Sequence, residues 1–199
     1  MTDSFALLQQ PRRPWLDPEA LKQRFLALSA TCHPDKVADG PGRAEAARRF
    51  AELNTAFQRL SDPKARLLHL LELETGARPP EIQSIPPVLA DLFIEVATVG
   101  KEVDHFLSEK KENLSPLLGV QLFERAQAWI ERIEVIQKKL AGLRATLDQE
   151  LRSLDEQWMK ADGPARRTLW QKVEDSYRLF GYFGRWNNQL QERKAQLTL

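Results

Sequence analysis

The sequence predicts an all-α protein, and three observations carry the prediction. Apolar residues recur at helical spacing, first at Leu21, Phe25, Leu28 and Cys32 and again at Phe50, Leu53, Phe57 and Leu60, the rhythm of helices with one buried face. Helix start signals are frequent: in Asp17-Pro18 and Ser115-Pro116 a capping side chain precedes a proline that has no N–H to leave unpaired. Only nine glycines occur in 199 residues, against abundant Ala, Leu, Glu, Gln, Arg and Lys. A chain of this length can bury a real core, in one domain or two small ones.

Taken in order, residues 4–10 are a short helix with Phe5 and Leu8 inward, and Pro11 and Pro14 then force a turn. A second helix runs from Pro18 to Cys32, where the coming Pro34 disfavours helical backbone before it. Lys36 to Gly42 is a loop. A third helix spans Arg43 to Leu60 and ends at Ser61-Asp62-Pro63. A fourth runs from Lys64 to Thr75 and stops at Gly76. Residues 77–87 contain Pro79, Pro80, Pro86 and Pro87 without helical periodicity, and read as a semi-rigid linker between domains 1–76 and 88–199. Beyond the linker the helices lengthen. The first covers Val88 to Lys110. The next, 117–160, keeps a near-heptad register at Leu122, Ala126, Trp129, Ile133, Ile136, Leu140, Leu143, Leu147, Leu151, Leu154 and Trp158. Unbroken, it would be roughly 65 Å long at about 1.5 Å per residue. Asp162-Gly163-Pro164 is a tight turn into a last helix that ends near Leu197. The expected carboxy-terminal architecture is an antiparallel three-helix bundle. Because its first helix is short, the end near 147–170 should project as an extended coiled-coil arm, or the long helix should break near Gly142.

Charge and composition narrow the function. The formal net charge is +1, and residues 77–199 balance their Lys and Arg with Asp and Glu, so neither nucleic acid nor an anionic membrane is expected as partner. A single cysteine leaves no disulfide and no CxxC pair, and His69 and His105 lie on other helices than His33, so no metal, cofactor or nucleophile is expected and the chain does not read as an enzyme. No basic region followed by an apolar run opens the chain, and no apolar stretch reaches spanning length, which predicts a cytoplasmic setting.

The tripeptide His33-Pro34-Asp35, followed by Lys36, lies at the mouth of the hairpin formed by the second and third helices. With Phe5-Ala6-Leu7-Leu8, Leu16-Asp17-Pro18-Glu19-Ala20-Leu21, Arg24-Phe25-Leu26-Ala27-Leu28, Leu53-Asn54-Thr55-Ala56-Phe57 and Arg66-Leu67-Leu68-His69-Leu70-Leu71, it resembles the J domain. The resemblance is nearer still to the HscB-type co-chaperones of iron–sulfur cluster assembly. It is specific over residues 3–76 and only architectural over 88–199.

That resemblance implies a J-protein co-chaperone that stimulates a DnaK/HscA-type ATPase chaperone. Asp35 would present its carboxylate to an arginine of the partner, with His33 and Pro34 fixing its presentation and Lys36, Lys22 and Arg24 supplying a basic face. Residues 10–50 hold eight Lys/Arg against five Asp/Glu, a balance of only +3, so steering is expected to be weak. Cys32 reads as a packing residue rather than a redox switch. The resemblance further implies that the carboxy-terminal bundle binds a client, the iron–sulfur scaffold protein, through Phe93, Ile94 and Ala97. Thr98 and Lys101 stand where the family would have carboxylates, and Phe93 reads equally well as core or contact. The alternative is an adaptor whose coiled-coil arm binds another client or forms a homo-oligomer. Tyr177, Phe180, Gly181, Tyr182, Phe183, Gly184 and Trp186 read as a buried aromatic plug with close approach at the two glycines, in preference to an exposed patch.

Overall fold

The computed structural model describes residues 2–32, 41–80, 85–112 and 116–198. Among them the chain forms seven α-helices and no strand: α1 (Ser4–Leu7), α2 (Pro18–Thr31), α3 (Pro41–Ser61), α4 (Pro63–Thr75), α5 (Ala90–Glu112), α6 (Pro116–Lys160) and α7 (Gly163–Thr198). The all-α class therefore holds. A 3₁₀ turn, Pro87–Leu89, leads into α5. Ser115 lies outside the described residues, but the Asp17-Pro18 start signal is used as expected, Asp17 accepting from the Ala20 N–H at 2.8 Å ahead of the N1 proline. Asp62-Pro63, read from sequence only as a stop, also starts the next helix: Asp62 accepts from the Ala65 N–H at 2.7 Å with Pro63 at N1. Gly76 ends α4 at φ +75°, a left-handed conformation that a side chain resists.

The long helix does not break. α6 runs for 45 residues, with Gly142 in open space. One apolar position departs from the expected seam, since Leu143 is exposed. A 3.6-residue turn drifts against a seven-residue repeat, and over this length the drift carries one position outward.

The chain divides into two compact units. One comprises Met1–Pro80 with Asp148–Arg178, the other Glu81–Leu147 with Leu179–Leu199. The break near residue 80 falls in the proline-rich stretch, but α6 and α7 contribute to both units. The end expected to project as a free arm is instead part of the first unit's core, where Leu151, Leu154, Trp158, Leu169 and Val173 are buried.

The reason lies in the turn at residues 11–16, which is fastened to α6 on one side and α4 on the other. The Asp155 carboxylate, 2 % exposed, accepts both Arg13 Nε, at 2.9 Å, and Arg13 Nη2, together with the Trp15 N–H at 3.2 Å. The Trp158 indole N–H donates to the Arg12 carbonyl at 3.0 Å, and the Arg152 guanidinium lies over the Trp15 ring at 4.9 Å. From α4, the buried Arg66 donates to the carbonyls of Pro14 at 2.9 Å and Leu60 at 2.6 Å. Burial pulls the Arg66 pKa down to about 10, still high enough to keep the guanidinium charged at neutral pH.

In the second unit three helices share a core of Leu92, Val96, Val99, Val103, Phe106, Ile133, Ile136, Leu140 and Leu190. Ion pairs trace the direction: Glu95–Lys139, Glu102–Arg132 and Glu109–Arg125 advance by seven on α5 while falling by seven on α6, the signature of antiparallel packing. Such exposed pairs add little stability, about 0–1 kcal/mol each. Arg193 of α7 chelates Asp104 at 2.7 and 2.9 Å and donates to the Gly100 carbonyl. A Cβ at Gly100 would meet that guanidinium at 3.4 Å, so the close approach in this bundle is at Gly100. Gly184, where a close approach was expected, faces open space. The aromatic run of α7 is buried as expected: Phe180, Tyr182, Phe183 and Trp186 are all inside and Tyr177 is half-buried.

Removing Asp155 strands the Arg13 guanidinium and frees the 11–16 turn. Asp155→Ala should cost about 3 kcal/mol and open residues 2–16 to limited proteolysis. Unchanged thermal denaturation and unchanged cleavage would contradict this account of the turn.

Candidate functional site

The candidate site is the corner between α2 and α3. Of the residues assigned to it from sequence, His33, Pro34, Asp35 and Lys36 lie outside the described residues. The hairpin that flanks them is described in detail. Phe25 of α2 and Phe57 of α3 stack with ring centroids 4.5 Å apart and planes 16° from parallel, and Leu21, Leu53, Ala56 and Leu60 complete the seam. Aromatic pairs at this separation add about 0.5–1.5 kcal/mol beyond the area they bury. Lys22 is exposed on α2 and Arg24 is half-buried. Cys32, half-buried, caps α2, its thiol 3.6 Å from the Leu28 carbonyl and 3.8 Å from that of Ser29.

Helix α1 braces the back of this hairpin. Asp3 caps it by accepting from the N–H groups of Phe5 at 2.9 Å and Ala6 at 3.2 Å, and accepts from Arg12 at 2.8 and 3.0 Å. Burial alone would push the Asp3 carboxyl up, but these hydrogen bonds outweigh it and hold it below the usual carboxylate value. Arg59 of α3 donates to Ser4 Oγ at 3.1 Å. His69 of α4, 1 % exposed, accepts the Ser4 N–H on Nε2 at 3.0 Å and stacks parallel to Phe5. Accepting on Nε2 places the ring's proton on Nδ1, which is buried without a partner among the described residues. Burial, reinforced by the Arg59 charge, lowers the His69 pKa.

A second surface lies on α5. Phe93 is 41 % exposed and Ile94 60 %, with Ala97 half-buried beside them and Val88 exposed ahead of the helix. The Phe93 ring leans on Trp186 of α7, centroids 6.2 Å apart, so it is neither core nor free but a half-covered edge. Thr98 and Lys101 are exposed on the same helix. Among the described residues no group of three or more His, Cys, Asp or Glu could hold a metal ion, and no helix is long and apolar enough to cross a membrane.

Residues 4–69 match the DnaJ domain, a span that encloses both helices of the hairpin and the His33–Lys36 stretch between them. Residues 4–69 thus carry a J domain, and a J domain implies an Hsp70-type ATPase partner. Over most of its length the chain further resembles the HscB co-chaperones. It is 25 % identical over 169 residues to the co-chaperone HscB homolog of Mannheimia succiniciproducens, an alignment covering 75 % of this chain and 98 % of that relative. The fold is that of the chaperone HscB from Vibrio cholerae, at a TM-score of 0.60 and 21 % identity over 98 % of this chain and 99 % of that one. Human co-chaperone protein HscB is similar too, with a TM-score of 0.51 and 16 % identity over 93 % and 82 % of the two chains.

Sequence reasoning missed Asp155, Arg13, Arg66 and His69, which together hold the hairpin's support. One signal for Asp155 was present. It interrupts the apolar face of α6 beside Leu151, Leu154 and Trp158, and a carboxylate in such a stripe requires a buried cation. The partners, more than a hundred residues away, left no comparable mark.

His69 sets a pH dependence. Its pKa is lower folded than unfolded, so the stability it confers is complete above the unfolded value of about 6.5 and is lost as pH falls through the folded value. Denaturant unfolding at pH 7.5 and pH 5.0 should show wild type weakening at the lower pH and His69→Gln losing much of that difference. Equal stability of wild type at both values would contradict it.

Proposed function

We propose that the chain is a non-enzymatic co-chaperone that stimulates a DnaK/HscA-type ATPase through His33-Pro34-Asp35 and delivers a client carried by its carboxy-terminal unit. The observation that carries the reading is the DnaJ-domain match enclosing this tripeptide, between two helices that stack through Phe25 and Phe57. Asp35 would pair with an arginine on the ATPase, a fork-shaped, charge-assisted contact that is both strong and geometrically demanding. His33 and Pro34 would hold the loop that presents it, with Lys36, Lys22 and Arg24 adding a modest positive field. The chain performs no chemistry of its own. It binds the hydrolysis-competent state of the ATPase more tightly than the resting one and shifts the population accordingly. Its setting is cytoplasmic.

The client surface in this reading is the edge of Phe93, Ile94 and Ala97, and the client is the scaffold protein of iron–sulfur cluster assembly. An exposed isoleucine beside a half-covered phenylalanine on one helix suits a hydrophobic contact of small area. A second reading, a different client, is favoured by Thr98 and Lys101, which bring no carboxylate to that surface. Self-association is the other form of the second reading, and the exposed Val120 and Phe123 on α6 favour it.

Single-turnover ATP hydrolysis by a purified DnaK- or HscA-type ATPase should accelerate at least tenfold with wild type and return to the basal rate with Asp35→Asn. Acceleration that survives Asp35→Asn would sink the assignment. For the client, calorimetry with a purified scaffold protein should give binding that Ile94→Glu weakens at least tenfold. Undetectable binding of wild type at tens of micromolar favours the second reading.

A further inference from the structure

His69 of α4 holds α1 by a bond that only its neutral form can make. Its Nε2 accepts the Ser4 N–H at 3.0 Å, in a site where both residues are buried. A protonated imidazole carries a donor on each nitrogen and has no lone pair to offer an N–H. The same Nε2 lies 4.0 Å from Asp3 Oδ1, just beyond hydrogen-bond reach. That oxygen is the one that caps α1, accepting from the N–H groups of Phe5 and Ala6, while Oδ2 takes Arg12. Nδ1, the other ring nitrogen, is buried with no partner among the described residues. Two alternative partners for one nitrogen therefore stand side by side: a donor that suits the neutral ring and an acceptor that suits the charged one.

We infer that His69 is an acid-operated latch: on protonation Nε2 leaves the Ser4 N–H and turns to the Asp3 carboxylate, drawing Oδ1 off the N–H groups of Phe5 and Ala6. The first turn of α1 then loses both its tie to α4 and its cap, and the brace behind the α2–α3 hairpin loosens at that end. The groups that face the ring come from every element around it. Asp3 ahead of α1 and Glu72 of α4 favour a charged ring, whereas Arg59 of α3 and Arg12 of the 11–16 turn oppose one. Burial is the largest influence and keeps the resting ring neutral. The change is local, because the Phe5 and Leu8 side chains are fully buried and hold the body of α1 in place. Nothing in this latch depends on the co-chaperone reading, since its residues all lie in α1, α3, α4 and the turn beside them.

Two NMR measurements on the full-length chain, at pH 7.5 and pH 5.0, test it. A nitrogen–nitrogen coupling carried by the hydrogen bond should join the Ser4 amide to His69 Nε2 at pH 7.5, with the ring proton on Nδ1. At pH 5.0 both ring nitrogens should be protonated and the coupling gone. Amide hydrogen exchange, corrected for its intrinsic pH dependence, should show Phe5 and Ala6 losing about fivefold more protection than Leu53 and Leu70 as pH falls between these values. His69→Gln should abolish that excess, because its side-chain oxygen can accept the Ser4 N–H at either pH. A ring proton on Nε2 at pH 7.5, or a coupling that persists at pH 5.0, would overturn the inference without recourse to any variant. An excess loss that is absent from wild type, or that survives in folded His69→Gln, would overturn it as well.

Discussion

A carboxylate buried on the flank of a long helix is the constraint on which the first unit depends. Asp155 cannot be taken out of water alone, because an unpaired charge in an apolar interior costs several kcal/mol. It is tolerated because Arg13 and the Trp15 N–H reach it from a turn that regular secondary structure does not otherwise secure. The consequences run along the chain. Trp15 is held, Leu16 is buried next to it, and Asp17 is then placed to cap α2. The start of the helix that leads to His33 is thus fixed by a residue about 140 positions away. A helical hairpin expected to stand by itself is in fact one layer of a composite core that includes the turn between α6 and α7.

That dependence explains what could and could not be read in advance. Helix order, the Asp17-Pro18 start, the stop at Gly76 and the near-heptad register of α6 follow from local rules, because capping, φ restriction and periodicity act within a few residues. The helical rhythms on both sides of His33-Pro34-Asp35 were legible for a similar reason, since each is contiguous, while the tripeptide itself lies outside the described residues. The cover over the end of α6 was not legible. It depends on Arg13, Arg66 and Trp158 meeting across the fold, and nothing in an isolated arginine announces whether it will be solvated or buried. Gly184 shows the converse. A glycine among aromatics suggested close packing, yet the space beside it is open and the tight approach is at Gly100, where an arginine needs room.

The two surfaces differ in kind, and that difference fits a division of labour. The hairpin helices are braced from behind by α1, through the Asp3 and Arg59 contacts and the buried His69, which suits the geometry-dependent contact with an ATPase proposed for the corner they flank. The α5 edge is more open: Phe93 leans on Trp186, and Ile94 is exposed. Rigid support suits a contact that must bias one state of a partner over another. An exposed apolar edge suits the client contact proposed for it.

The most direct measurement is a solution map of the contact with the ATPase. Amide signals of the isotopically labelled chain should be followed while a nucleotide-bound DnaK/HscA-type ATPase is added. The account predicts that the largest changes fall on residues 22–36, with α5 and the α6–α7 turn unmoved. Changes confined to α5, α6 or α7, with residues 22–36 silent, would contradict it.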